Sequence, residues 1–152
     1  MALVVLNHGQ QNALPVLEDA GFTKVNAGIN ATVGVNTPMG ALGGMVAMYT
    51  ADYTVGIGDG SGTAAGLFLN NAAGAAFENS PAVASGKVTV IKANASVEVD
   101  VYADDVPGLA IGDALYSDGD GFLTGAASGE IVGIITKLPT VASPTLGLDM
   151  RI

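Results

Sequence analysis

Ser96-Val97-Glu98-Val99-Asp100-Val101-Tyr102 alternates apolar and polar side chains without a break. A β-strand turns successive side chains to opposite faces, so Val97, Val99 and Val101 face one way and Glu98, Asp100 and Tyr102 the other. A helix would scatter the three valines around its circumference. The closing stretch repeats the pattern: Leu146, Leu148, Met150 and Ile152 alternate with Thr145, Gly147, Asp149 and Arg151. Both stretches fit a sheet with one buried and one wet face.

Working outward, runs with strand character cover Lys24–Ile29, Thr32–Asn36, Met45–Thr50, Tyr53–Ile57, Ala65–Asn70 and Lys87–Lys92 upstream. Ala114–Ser117, Gly121–Thr124 and Glu130–Lys137 lie between the two alternating stretches. Turn chemistry separates them at Asp59-Gly60-Ser61-Gly62, Asn70-Asn71, Pro107-Gly108, Asp118-Gly119-Asp120-Gly121 and Ala127-Ser128-Gly129. Many short strands closely spaced, with 22 Gly and six Pro for corners, predict a mainly β fold closing as a small barrel or sandwich, with at most one or two short helices.

Residues 1–24 differ in kind. Ala2–Leu6 is a short apolar run, followed by polar His8-Gly9-Gln10-Gln11-Asn12. Asn12 can cap one or two helical turns through Leu14–Asp19, with Pro15 in the first turn and Gly21 as the stop. Leu3, Val5, Leu14, Leu17 and Phe22 are apolar anchors on a segment too short for a core of its own. It reads as an extended N-terminal arm on a barrel-like domain of residues 25–152, with those five residues as its contacts on something outside it. The other reading is a first strand and turn of the same domain.

Composition narrows the function. The 152 residues are 49% hydrophobic and only 12% charged, against about 25% charged in ordinary domains. Such a chain folds, and its low charge hints that other subunits cover part of its surface. A membrane-spanning helix needs about 20 mainly apolar residues in a row. The uncharged run Val25–Ala51 is instead cut by Gly28, Gly34, Pro38, Gly40, Gly43 and Gly44, so no membrane partner is expected. The start has no basic segment and too short an apolar run for an export signal. Fourteen acidic against five scattered basic residues give a net charge of −9, which disfavours nucleic acid. No cysteine is present, so packing and association must supply stability.

Several motifs invite a catalytic or ligand reading and fall short of it. Gly60-Ser61-Gly62-Thr63-Ala64-Ala65 has the outline of a nucleotide fingerprint, with Glu78 near the right distance, but the next residues read as a strand rather than the required helix. Asp118-Gly119-Asp120-Gly121 opens like a calcium loop. Phe122 and Gly129 stand where oxygen ligands belong, so a tight turn is expected, with a loosely held surface cation left open. His8 is the lone histidine and lies in the arm, which supports neither a triad nor a multi-histidine zinc site. Asp104-Asp105 and Glu18-Asp19 read as solvated turn chemistry. Asn30-Ala31-Thr32 and Asn94-Ala95-Ser96 fit the glycosylation pattern, with nothing else pointing to a secreted eukaryotic chain. No catalytic, cofactor or metal residues are expected. The uncharged stretches Gly60–Phe77 and Val25–Ala51 are open to two readings, subunit contact or ordinary core strands.

The last two thirds of the chain resembles the small capsid decoration (cement) proteins of tailed bacteriophages. The likeness is carried by Gly66-Leu67-Phe68-Leu69-Asn70-Asn71, Pro81–Val90, Ile111-Gly112-Asp113-Ala114-Leu115-Tyr116-Ser117, Gly121-Phe122-Leu123-Thr124, Ile131–Lys137 and Leu146–Ile152. It covers about residues 60–152. The resemblance implies a β-barrel or β-tulip subunit that trimerises over the major capsid protein on the outer virion surface and stabilises capsomer joints. It implies synthesis in the bacterial host cytoplasm, an arm reaching neighbouring trimers, no enzymatic activity and no cofactor. A virion surface module for host glycans is the alternative; it wants exposed aromatics, and only four Tyr, four Phe and no Trp are present.

Overall fold

The computed structural model describes residues 3–5, 24–29, 41–52, 54–69, 87–93 and 95–152. Among these residues eleven strands run in chain order: β1 (Leu3–Val5), β2 (Lys24–Ile29), β3 (Val46–Ala51), β4 (Thr54–Ile57), β5 (Ala64–Phe68), β6 (Lys87–Ile91), β7 (Ser96–Val99), β8 (Ala114–Ser117), β9 (Leu123–Thr124), β10 (Gly133–Lys137) and β11 (Leu146–Met150). Among the described residues the helical element is a single 3₁₀ turn, Val106–Gly108, at the Pro107-Gly108 signal. The fold is mainly β, as the alternation predicts. The expected strand at Thr32–Asn36 and the short helix at Leu14–Asp19 lie outside the described residues.

The strands form two curled sheets. One closes on itself in the order β2-β4-β3-β5-β6, its single parallel pairing being β2 with β4. The other runs β1-β7-β11-β10-β8-β9 and is antiparallel throughout. Closure leaves the first sheet without an edge. The edges of the second, β1 and β9, are three and two residues long, and such short edges blunt pairing with another chain.

One wall serves two cores. On β3, Val46 joins the cluster of Val97, Leu115, Leu146 and Leu148, while its neighbour Ala47 turns inward to the barrel cluster of Val55, Phe68 and Val90. Leu67 and Phe68 on β5 divide the same way, as do Ile91 and Val90 on β6. Burial on both faces explains the adjacent apolar pairs Val46-Ala47, Leu67-Phe68 and Val90-Ile91, where β7 alternates cleanly. Each fully buried Leu or Phe contributes about 1.5–3 kcal/mol in removing its surface from water. The β8–β9 turn reaches across to the barrel, with Val46 N–H donating to Gly121 O at 2.8 Å and Phe122 packed against the barrel cluster.

The β7 stretch departs from expectation at its end. Val97 and Val99 share a core, whereas Val101 belongs to the barrel cluster. The strand stops at Val99, the chain turns, and Tyr102 makes an isolated parallel bridge to Leu123. Once the strand ends, the two-residue period no longer fixes the face.

Candidate functional site

Of the five arm residues, Leu3 and Val5 lie in β1, opposite Val99 and Val97 in antiparallel register on this chain's own β7. Leu14, Leu17, Phe22 and His8 lie outside the described residues. The described parts of the two uncharged stretches go into the chain itself: Ala41, Leu42 and Met45–Ala47 are buried, and so are Ala65–Phe68. At these positions the core-strand reading holds. The surface is left to the acids and to the loops.

Two of the carboxylates that tempted a catalytic or metal reading, Asp118 and Asp105, are loop pins. Asp118 Oδ1 accepts the backbone N–H groups of Asp120 and Phe122, both at 2.8 Å, and fixes the β8–β9 turn. Asp105 Oδ2 accepts from Thr124 Oγ1 at 2.9 Å and Gly125 N at 2.8 Å. Asp113 holds Ala110 N at 2.8 Å, and the Ser96 hydroxyl donates to Asp149. Asp59 Oδ1 accepts from the Ser61 amide and hydroxyl at 2.9 and 2.8 Å, and these bonds hold its carboxyl below the ordinary value. Glu130 reaches across 66 positions of sequence to accept the Ala64 N–H at 3.0 Å, and Ser128 Oγ donates to Gly60 O at 2.7 Å. Gly60 sits at φ +78°, and a Cβ there would lie 2.7 Å from that hydroxyl. The Gly60–Ala65 motif is thus a turn running into β5, without a phosphate-binding helix.

These loops meet around a dent of about 10 Å³ between Val46, Gly58, Ser117 and Val132, room for about one water. Among the described residues, no group of three or more His, Cys, Asp or Glu side chains could hold a metal. No helix among them is long and apolar enough to cross a membrane.

The arrangement offers a β body with an acidic exterior. Asp52, Asp59, Asp104, Asp105, Asp113, Asp120 and Glu130 are all exposed. Residues 95–152 carry nine acidic side chains against Lys137 and Arg151. Lys137 is committed internally: its ammonium donates to Glu98 at 3.0 Å, Ser143 at 2.8 Å and Thr145 at 2.9 Å. The Thr145 hydroxyl donates to the same Glu98 oxygen at 2.6 Å.

Burial acts to raise the Glu98 pKa, but the bonds from Thr145 and Lys137, with the lysine's charge, hold it below its ordinary value of 4.5. A carboxylate depressed in the folded state stabilises fully above its unfolded pKa and loses that contribution as pH falls through the folded value. Glu98→Gln should therefore cost about 1 kcal/mol at neutral pH, the half-exposed lysine keeping the figure small. The gap between the two melting curves should close as pH drops below 4.5. Thermal melts from pH 7 to pH 3 check this, and a constant gap would show that charge is not the cause.

Comparison with known proteins returns no matching family model and no matching curated protein.

Proposed function

We propose that this chain is a non-enzymatic structural protein of a tailed-phage virion. In this reading it binds the outer face of the icosahedral shell as a homotrimer, contacts the major capsid protein and neighbouring trimers, and stabilises capsomer joints. The observation that carries the proposal is a doubly cored β body whose loop carboxylates pin turns while its exterior stays acidic. Such a charge suits the outside of a shell, since packaged DNA on the inside would repel it. A subunit that adds buried area at many equivalent joints stabilises by mass action and multivalency, without any reacting group.

A specific observation favours the glycan-binding alternative: Tyr49 on β3 is exposed. Against it, Lys92 Nζ lies 5.3 Å from the ring centroid and donates to the Tyr49 hydroxyl at 2.9 Å, so the ring is already engaged.

The test mixes purified protein with undecorated shells of its phage and examines them by electron cryomicroscopy. Density at regular positions on the outer lattice and a raised shell melting temperature are expected. Alanine at Leu14, Leu17 and Phe22, which leaves β1 in place on β7, should lower occupancy through loss of the arm's contacts on the shell. Absence of binding by the intact protein, with a signal on a glycan array, would overturn the proposal in favour of the alternative.

A further inference from the structure

The sequence holds three Asp-Gly steps, Asp59-Gly60, Asp118-Gly119 and Asp120-Gly121, and the fold treats each differently. An aspartate followed by glycine can close on itself. The glycine amide nitrogen attacks the side-chain carboxyl carbon, and no Cβ on the glycine stands in the way. Closure asks two things of its surroundings: hydrogen-bond donors at the oxygen that takes up charge, and a glycine peptide able to turn toward the carboxyl.

Of the three, Asp118 has both. Its Oδ1 accepts the amides of Asp120 and Phe122, both at 2.8 Å, so two N–H groups already point at the oxygen that takes up charge. Reaching the amide two residues on folds the carboxyl back over the Gly119 peptide. Gly119 is exposed, an added Cβ there would meet nothing within 4 Å, and its amide donates no backbone hydrogen bond among the described residues. The Asp118 carbonyl, which swings with that amide, is held only by two long bonds, from Ser117 Oγ at 3.1 Å and Gly121 N at 3.4 Å.

The other steps fall short. Asp59 Oδ1 has the Ser61 donors, but Gly60 is wedged at φ +78°, an added Cβ lying 2.7 Å from Ser128 Oγ and 3.0 Å from Ser117 O. The Asp120 carboxylate accepts no hydrogen bond among the described residues. Gly121 is buried, with an Ile57 methyl 2.5 Å from an added Cβ.

We infer that Asp118-Gly119 is a self-modification site, at which the folded chain converts aspartate to isoaspartate. The Gly119 nitrogen gives its proton to water and bonds to Asp118 Cγ, while Oδ2 takes up protons and leaves as water, giving a cyclic imide. Water then opens the ring at either carbonyl. One opening restores Asp118; the other sends the main chain through Cβ and Cγ and leaves the α-carboxyl as the side group. The atoms of the chain are unchanged in number and nothing is oxidised. The product adds one atom to the main chain of the β8–β9 turn, whose Gly121 O accepts the Val46 N–H at 2.8 Å. This chemistry needs no second protein and stands apart from the virion reading.

The test ages the purified protein near neutral pH and maps isoaspartate by fragmentation mass spectrometry, beside the same protein held unfolded in urea. In the folded protein isoaspartate should accumulate at Asp118 about tenfold faster than at Asp59 or Asp120, and faster than at Asp118 in urea. Gly119→Ala should slow it by about tenfold with the melting curve unchanged, because the added methyl meets nothing in the fold. The converted protein should melt a few degrees lower than the fresh one. Conversion led by Asp59 or Asp120, or no faster at Asp118 in the folded chain than in urea, would overturn the inference.

Discussion

Gly66→Ala should destabilise the protein by about 4 kcal/mol, well above the typical cost of a point substitution. Gly66 lies in β5 at φ +142°, where an L side chain is strained, and that alone costs about 1–3 kcal/mol. The space is closed as well. A Cβ at this position would lie 2.0 Å from the carbonyl oxygen of Ile91 and 2.7 Å from a Val90 methyl. The nearer atom is backbone, so no rotamer change relieves the overlap. β5 and β6 must move apart where Leu67 pairs with Ile91, at the wall that serves both cores. Against a total stability of about 5–15 kcal/mol, the variant should melt about 10 °C lower or fail to accumulate. Gly119→Ala is the control, because nothing lies within 4 Å of its added methyl and its φ is not positive. Urea unfolding of both variants decides the matter, and a Gly66→Ala cost below about 1 kcal/mol would show that the wall accommodates the change.

The strands were legible because their signal is local. Leu146, Leu148 and Met150 alternate in sequence and are all buried, and the Asp118–Gly121 turn joins two strands as its residues predict. The assignment of side chains to cores was not legible. Val46-Ala47 and Leu67-Phe68 are apolar at both positions, so periodicity says that both faces are buried but not against what. The uncharged composition of those runs follows from this double burial. The pins around the loops were hidden for another reason: Glu130 meets Ala64 only after the chain has folded, and no local spacing announces a bond across 66 positions.

Leu67→Ala and Phe68→Ala, made separately, should cost about 3 and 4 kcal/mol, and together they should leave the chain largely unfolded. Both side chains are fully buried, and adjacent positions on β5 send them to opposite sides of one wall. Leu67 packs in the cluster that spans β7, β8, β10 and β11, while Phe68 packs among Val55, Val88 and Val90 inside the barrel. The cavities open on opposite sides of one wall, yet the two residues share a strand and its backbone, so their costs should couple rather than simply add. Their reach should still overlap, because β3, β5 and β6 belong to both cores and cannot loosen on one face alone. Hydrogen exchange read by mass spectrometry separates the possibilities. In Leu67→Ala, protection should fall in β6 and β3 as well as in β7 and β11, and one unfolding transition should persist. If the barrel strands kept full protection while the six-stranded sheet opened, the wall would not couple the two cores and the chain would consist of two independently melting units.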